Sequence, residues 1–330
     1  MASPNAIATE IVTTTFRDHG KNINDIISNS NALYERLNKK GHIDLTYDGG
    51  HEIFEPIEYD ENSTYQRYSG YDKLNIAPSD VFSGVTYDPK MWGVAISISG
   101  EQMLKNSGKN RIIPLMKSRI KNAIKSKANN ESQDMYSDGT ASKQMGGLQL
   151  QVADAGTGTV GGINSSTYSW WQNTVQSAAS PLSGGGAVTV GSTTIQELMM
   201  DLWMETTRGR DGIDLIVADN TYYRYYWQSL TALERYTSED GEGRAPGFKK
   251  LKFMDADVVY DGGSNFNSGI PANRMYFLNT DYLKMKKHKD ANCKLLPELR
   301  PNDQHAFNSF IFSMGNLIGT NRQMQGVLKP

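Results

Sequence analysis

The reading of the fold turns on DLTYDGGHEIFEPIEYDENSTYQRYSGYDKLNIAPSDVFSGVTYDPK (residues 44–90) and on its contrast with the basic stretch at 101–127. The first stretch holds ten carboxylates (Asp44, Asp48, Glu52, Glu55, Glu58, Asp60, Glu61, Asp72, Asp80 and Asp88) against three cations, Arg67, Lys73 and Lys90. Residues 101–127 invert that balance: eight cations (Lys105, Lys109, Arg111, Lys117, Arg119, Lys121, Lys125 and Lys127) stand against Glu101 alone. Asp48-Gly49-Gly50 separates Ile43 to Tyr47 from Ile53 to Ile57, the spacing of a hairpin turn. Asp60-Glu61-Asn62-Ser63 marks a second tip, and Tyr65, Tyr68 and Tyr71 come after it. A hairpin arm of about fifty residues with so few apolar positions cannot bury itself and needs another surface to lie on. The basic helix of a neighbouring copy is the partner its charge selects. The chain reads as an assembling protein.

Working outward, Trp92, Val94, Ile96 and Ile98 alternate strictly, which turns one strand face into a core while Ser97 and Ser99 face out. Gly100 ends that strand. The basic helix then carries Ile112, Met116, Ile120, Ile124 and Ala128 down one side and Lys117, Lys121 and Lys125 down the adjacent side. Pro114 fits only a first turn, so the helix is expected to start there. Lysines stacked at this spacing with no intrahelical acid repel by about 0.2–0.5 kcal/mol per pair, which points to an external anion. A solvated basic face is the plainer alternative and stays open.

The first twenty residues, polar with Ile11, Val12 and Thr13 to Thr15, read as an extended arm, and an amphipathic helix over 24–40 (Ile26, Ile27, Leu33, Leu37) stops at Gly41. Past the basic helix the chain is Gly-rich to about residue 166, then aromatic at Tyr168, Trp170 and Trp171, then Ser/Gly/Ala-rich over 177–186. An α/β pattern succeeds it. Ser192 or Thr193 caps a helix bearing Ile195, Leu198, Met199, Leu202 and Trp203; residues 214–218 form a buried strand; Asp219 or Asn220 caps an aromatic helix running from Tyr222 through Leu233. Strands are expected at 251–260, 274–279 and 282–286, with a turn at Asp261-Gly262-Gly263. The tail, through Ala306, Phe307, Phe310, Phe312 and Leu317, reads as strands returning to an earlier domain.

A chain of 330 residues is long enough for about two domains with real cores. Its net charge of −2 makes the two blocks local features and gives no bulk attraction to nucleic acid. Cys293, the single cysteine, excludes an intrachain disulfide, and His19, His42, His51, His288 and His305 include no pair at helical metal-site spacing. The opening MASPNAIATE has no signal-peptide pattern, and no run reaches the roughly 18 apolar residues of a membrane span, so a soluble protein made in a reducing cytosol is expected.

No catalytic, cofactor or metal set emerges. Gly156-Thr157-Gly158-Thr159-Val160-Gly161 matches GxGxxG in letters, but a dinucleotide site needs a buried strand before it and a helix opening within it. Here LQLQV (148–152) alternates as a half-exposed segment, the next helix starts late, and no acid stands at the ribose position. The arm's carboxylates lie on an extended element without an apolar pocket to raise a pKa. No Ser or Cys sits in an elbow such as GxSxG. Tyr222, Tyr223, Tyr225, Tyr226 and Trp227 have the rings to stack bases, yet on a helix between buried strands they read as core and interface.

The layout, with an N-terminal arm, a long two-stranded arm, a spine helix, a separate α/β domain and returning strands, resembles the Hong Kong 97-type fold of tailed-bacteriophage major capsid proteins. The strings NSTYQRYSGY (62–71), LNIAPSDVF (74–82), YSDGT (136–140), GGLQL (146–150), GTVGGI (158–163), LIVADN (215–220), YFLNT (276–280) and QGVL (325–328) look like phrases of that family, in order along nearly the whole chain. The resemblance implies an α+β fold divided into an N-terminal arm (1–43), an extended hairpin E-loop (44–99), a peripheral P-domain with the spine helix (100–182 and 283–330) and an axial A-domain (183–282).

It also implies a non-enzymatic shell protein. Copies would build pentameric and hexameric capsomers of an icosahedral shell around double-stranded DNA, without sequence-specific DNA contact. The E-loop would lie over an adjacent subunit near its spine helix. With the charge pattern, this makes Glu52, Glu55, Glu58, Asp60 and Glu61 of one copy the expected partners of Lys117, Arg119, Lys121, Lys125 and Lys127 of the next. Exposed ion pairs contribute only about 0–1 kcal/mol each but set register and steer assembly. Some family members link an arm lysine covalently to a neighbour's asparagine; Lys73 and Lys90 are the arm's lysines here, and nothing nearby marks that chemistry. The chain reaches its arm within about forty residues, less than a fused scaffolding segment of about a hundred would need, so a separate scaffolding protein is expected, with a portal protein and decoration proteins as further partners. The expected location is the virion capsid, after synthesis in the host bacterial cytoplasm. The alternative from a different class is a nucleic-acid-binding module built on the basic helix 101–127, marked by steep salt dependence.

Overall fold

The computed structural model of the chain describes residues 32–105, 115–230, 251–261, 269–296 and 305–330. The expected extended arm at 1–20, the first part of the 24–40 helix, Ile112, Leu233 and the Gly262-Gly263 turn lie outside the described residues. Helix α1 (Ala32–Lys39) buries Leu33 and Leu37 and stops at Gly41, whose φ of +74° is easy only for glycine.

Strand β1 (Ile43–Tyr47) does not fold back on the segment after it. It pairs in parallel with β12 (Leu283–His288), while β2 (Ile53–Glu58) pairs antiparallel with β3 (Phe82–Tyr87) from Ile53↔Tyr87 to Glu58↔Phe82. Asp48-Gly49-Gly50 is therefore a corner between a sheet and the arm and not a hairpin turn. Contacts with the β12 end hold it: Asp48 pairs with Lys289, whose amide donates to Tyr47 O (3.1 Å), and Tyr47 Oη donates to Gly50 O (2.6 Å).

Strand β4 (Lys90–Ser99) shows the alternation its sequence predicts, with Ile96 and Ile98 buried and Ala95 and Ser97 exposed. It runs antiparallel to the long strand β14 (Ala306–Gly319), from Ser99↔Ala306 to Lys90↔Gly315. β13 (Lys294–Leu295) pairs with Ile311 and Phe312 on the other edge of β14, and β12 pairs with its residues 315–319. These strands and β1 form a five-stranded sheet.

After the short helix α2 (Gly100–Lys105), the spine helix α3 (Leu115–Asp134) lies on β4 and β14 through Ala123, Ile120, Val94, Ile96 and Ile311, and the expected start at Pro114 falls outside the described residues. Among the described side chains of α3, Ala123, Lys127 and Glu131 are buried, whereas Ile124 is 51% exposed and Ala128 is exposed. Of the expected apolar side, Ile112 and the Met116 side chain lie outside the described residues, Ile120 packs on the sheet, and Ile124 and Ala128 turn away from it. Steps of four residues overshoot a 3.6-residue turn by about 40° each, so a strict fourfold repeat spirals off one face.

Helix α4 (Leu148–Gln151) occupies the segment whose alternation suggests an extended chain, and it buries Leu148 and Gln151. A two-stranded hairpin, β5 (Thr159–Val160) and β6 (Ile163–Asn164), comes next.

A six-stranded sheet runs in the order β7 (Thr174–Ser177), β15 (Gly326–Lys329), β11 (Met275–Leu278), β8 (Leu215–Ala218), β10 (Ala256–Tyr260), β9 (Leu251–Phe253). Two of its strands, β7 and β15, come from outside residues 183–282. The expected single strand at 251–260 is instead a hairpin that turns at Met254, φ +51°. Every residue of β8 and β11 is buried. Their side chains alternate between two clusters: Ile216, Ala218, Met275 and Phe277 meet α5 (Ile195–Thr206) and α6 (Asn220–Ser229), while Leu215, Val217, Tyr276 and Leu278 meet Leu33, Leu37, Met135 and Tyr136. A fully buried large apolar side chain contributes about 1.5–3 kcal/mol, so this doubly covered sheet is the stable centre. Asp219 caps α6 by accepting from Tyr222 N at 2.9 Å, and Tyr222 and Tyr226 sit in the core.

Candidate assembly interface

The arm is the ribbon β2–β3 with the segment between its strands. Strand pleating turns Ile53, Ile57, Val85 and Tyr87 inward, where they are buried, and turns Phe54 and Phe82 outward, 61% and 68% exposed. Phe54 lies across Gly84, where any Cβ would collide with its ring. Past the bond from Tyr59 N to Val81 O (3.1 Å) the ribbon opens. Residues 60–80 contain no strand or helix and are shaped by local bonds. Asn62 Oδ1 accepts from Thr64 N (2.9 Å), Asp72 Oδ2 from Ser69 N (2.9 Å) and Asn75 Oδ1 from Ala77 N (3.0 Å).

This tip holds large exposed side chains: Tyr65 (85%), Tyr71 (106%) and Ile76 (92%), with Tyr68 and Leu74 beside them. By sequence the arm is weighed by its charge and looks poor in apolar positions. The structure instead leaves these large side chains uncovered at the tip.

The charged residues divide differently from their sequence blocks. Glu52, Glu58, Asp60 and Glu61 are exposed on the arm, with Glu61 4.0 Å from Arg208. Glu55 is half-buried and paired with Lys286 of its own subunit. On α3, Lys121 is exposed and Lys125 half-buried, and the Lys117 side chain lies outside the described residues. Arg119 donates to the backbone of β4 at Ser97 O.

Lys127 is buried. Its Nζ stands 2.8 Å from Glu131 Oε2, 3.3 Å from Cys293 Sγ and 5.8 Å from the centre of the Trp92 ring. Glu131 also pairs with Lys287, which is fully buried, and accepts from Trp92 Nε1 at 3.2 Å. Burial opposes the charge on Glu131, and the ammonium groups of Lys287 and Lys127 overcome it, holding the carboxyl below the ordinary glutamate range. Lys127 is thus enclosed within its own subunit, between Glu131 on α3, the Trp92 ring of β4 and Cys293. Glu131, four residues on, is the sequence signal for this pair.

Among the described residues, no group of three or more His, Cys, Asp or Glu side chains is placed to hold a metal ion, and no helix is long and apolar enough to cross a membrane. The glycine motif at 156–161 opens no helix; it leads into the β5–β6 hairpin, with Val160 buried against the arm.

No family model and no curated protein matches the chain. Solved structures do. The chain is similar to the capsid asymmetric unit of cyanophage A-1(L), with 14% identity over 94% of this chain and 97% of that one and a TM-score of 0.58. It is similar to the capsid of Myoviridae phage XM1, with 10% identity over 88% and 90% of the two chains and a TM-score of 0.52. The SrpI encapsulin complex of Synechococcus elongatus PCC 7942 also matches, with 8% identity over 99% and 96% and a TM-score of 0.54. At such identities the likeness is one of fold, and the fold of this chain is the Hong Kong 97 type of tailed-phage major capsid proteins.

Proposed function

We propose that the chain is a phage major capsid protein, whose copies form pentameric and hexameric capsomers of an icosahedral shell around double-stranded DNA. One observation carries the reading beyond the fold: the arm ends in a large apolar surface that its own subunit leaves open, at Tyr65, Tyr68, Tyr71, Leu74 and Ile76. A second copy supplies the surface that buries it. Glu52, Glu58, Asp60 and Glu61 then face the neighbour's Lys121 and Lys125, and apolar burial supplies most of the free energy while the charges set register. Glu55 and Lys127 take no part, since each is engaged within its subunit. A scaffolding protein, a portal protein and decoration proteins are the proposed partners, and the virion capsid is the proposed location after synthesis in the bacterial cytoplasm. The test is sedimentation of the purified full chain with electron microscopy of the fast fraction. Rings, tubes or closed shells are expected; monomers alone, both with and without candidate scaffolding protein, would overturn the reading.

A further inference from the structure

The glycine motif that resembles a dinucleotide loop is constrained, but by the arm. At Gly161 (φ +60°) an added Cβ would fall 2.9 Å from Val85 Cβ and 3.3 Å from Tyr87 Cζ; at Gly162 (φ +79°) it would fall 3.2 Å from Thr86 Oγ1. Gly161 O accepts from Thr86 N at 3.1 Å, so the hairpin bonds directly to β3. Val160 is buried with Ile53, Ile57, Val85, Tyr87 and Trp171, and its carbonyl accepts from Trp171 Nε1 at 2.9 Å. At the point where the ribbon opens, Tyr59 stacks on Trp170 with ring centres 5.0 Å apart and planes 21° from parallel, and Trp170 rests on Trp171.

This assembly is itself anchored. The buried Arg322 donates to Gln151 O (2.7 Å), Trp171 O (2.9 Å) and Asn173 Oδ1 (3.0 Å), and Tyr87 Oη donates to Gly319 O (2.9 Å). The root of the arm is gripped by backbone approach, a buried cluster and a ring stack, whereas residues 60–80 beyond it are exposed almost throughout.

We infer that the β5–β6 hairpin with Trp170 and Trp171 is a seat that fixes the angle at which the arm leaves its subunit, so that the arm is aimed before a neighbour arrives. The small residues at 161 and 162 are positioning residues: they let the hairpin backbone come within van der Waals reach of β3. The inference rests on the proposal that the arm docks on a second copy, but its first readout does not.

Hydrogen exchange on the full chain, kept below the concentration at which it assembles, tests it with Gly161→Val and Tyr59→Ala. Gly161→Val drives a side chain into Val85, and amides of β2 and β3 are expected to exchange about tenfold faster or more while β8 and β11 keep wild-type rates. Tyr59→Ala removes the stack without adding bulk, and a smaller acceleration confined to the arm is expected. Misaimed arms then yield fewer or irregular shells by electron microscopy. Wild-type exchange in the arms of both variants would overturn the seat, as would equal acceleration in arm and central sheet. If wild-type protein stays monomeric both with and without candidate scaffolding protein while the exchange result holds, the capsid reading falls and the seat stands.

Discussion

In the six-stranded sheet every residue of β8 and β11 is buried, and alternate side chains enter two different clusters. In the arm one face is buried at the root only, the other carries Phe54 and Phe82 into solvent, and the tip exposes Tyr65, Tyr71 and Ile76. Both are β structure from one chain. The sheet draws its stability from its own subunit, and the arm's tip is left uncovered by it. The difference predicts two classes of variant: one that loses the folded subunit, and one that leaves it intact but unable to assemble.

The comparison breaks first if a core change in the sheet is tolerated. Phe277→Ala should cost about 3–5 kcal/mol, read as a lower urea midpoint of the unassembled subunit. A loss below about 1 kcal/mol would mean the sheet is not the stable centre.

Glu131→Gln comes next, at about 3 kcal/mol, because Lys127 and Lys287 are left buried without a counter-charge. The native pair has a pH signature of definite sign. The folded carboxyl titrates below the ordinary glutamate range, so its contribution is complete above that range and is lost as pH falls through the folded value. Wild-type midpoints should decline there, and those of Glu131→Gln should decline less. A parallel decline would remove the pair from the account.

The tip should behave in the opposite way. Serines at Tyr65, Tyr71 and Ile76 together should leave subunit stability within about 0.5 kcal/mol of wild type and abolish shells in sedimentation. Normal shell yield would show that the tip contacts nothing. The smallest effect belongs to Lys121→Glu with Lys125→Glu, about 0–1 kcal/mol for each contact, seen as weaker assembly whose deficit shrinks as salt rises. No change at low salt would remove those lysines from the interface and leave apolar docking alone.

The features legible in sequence obey local rules. The alternation over 92–98, the unbroken apolar strand at 215–218 and a cap at Asp219 or Asn220 are each decided within a few residues; the two strands are found as read and the cap falls to Asp219. Long-range decisions are not legible. Whether Ile43 to Tyr47 pairs with its neighbour or with a strand about 240 residues away depends on β12, since Asp-Gly-Gly suits a turn and a corner equally. Lys127 looks like one more cation because the basic block, counted to its last lysine, stops one helical turn short of Glu131, while the Trp92 and Lys287 that bond to Glu131 are distant in the chain. The tip is undervalued for a related reason: tyrosines among acids read as polar turns until their exposure is known.

The place of β15 has a kinetic consequence. Val327 pairs with Val175 on one side and Tyr276 on the other, so an interior strand of the stable sheet closes through contacts spanning much of the chain. Contact order this high slows folding, since long loops must close before their contacts add stability. Until β15 inserts, two strand edges stand open while the arm's aromatic residues are already exposed, which is the combination that favours misassembly. Refolding at high protein concentration should therefore lose more chain to aggregation than refolding at low concentration.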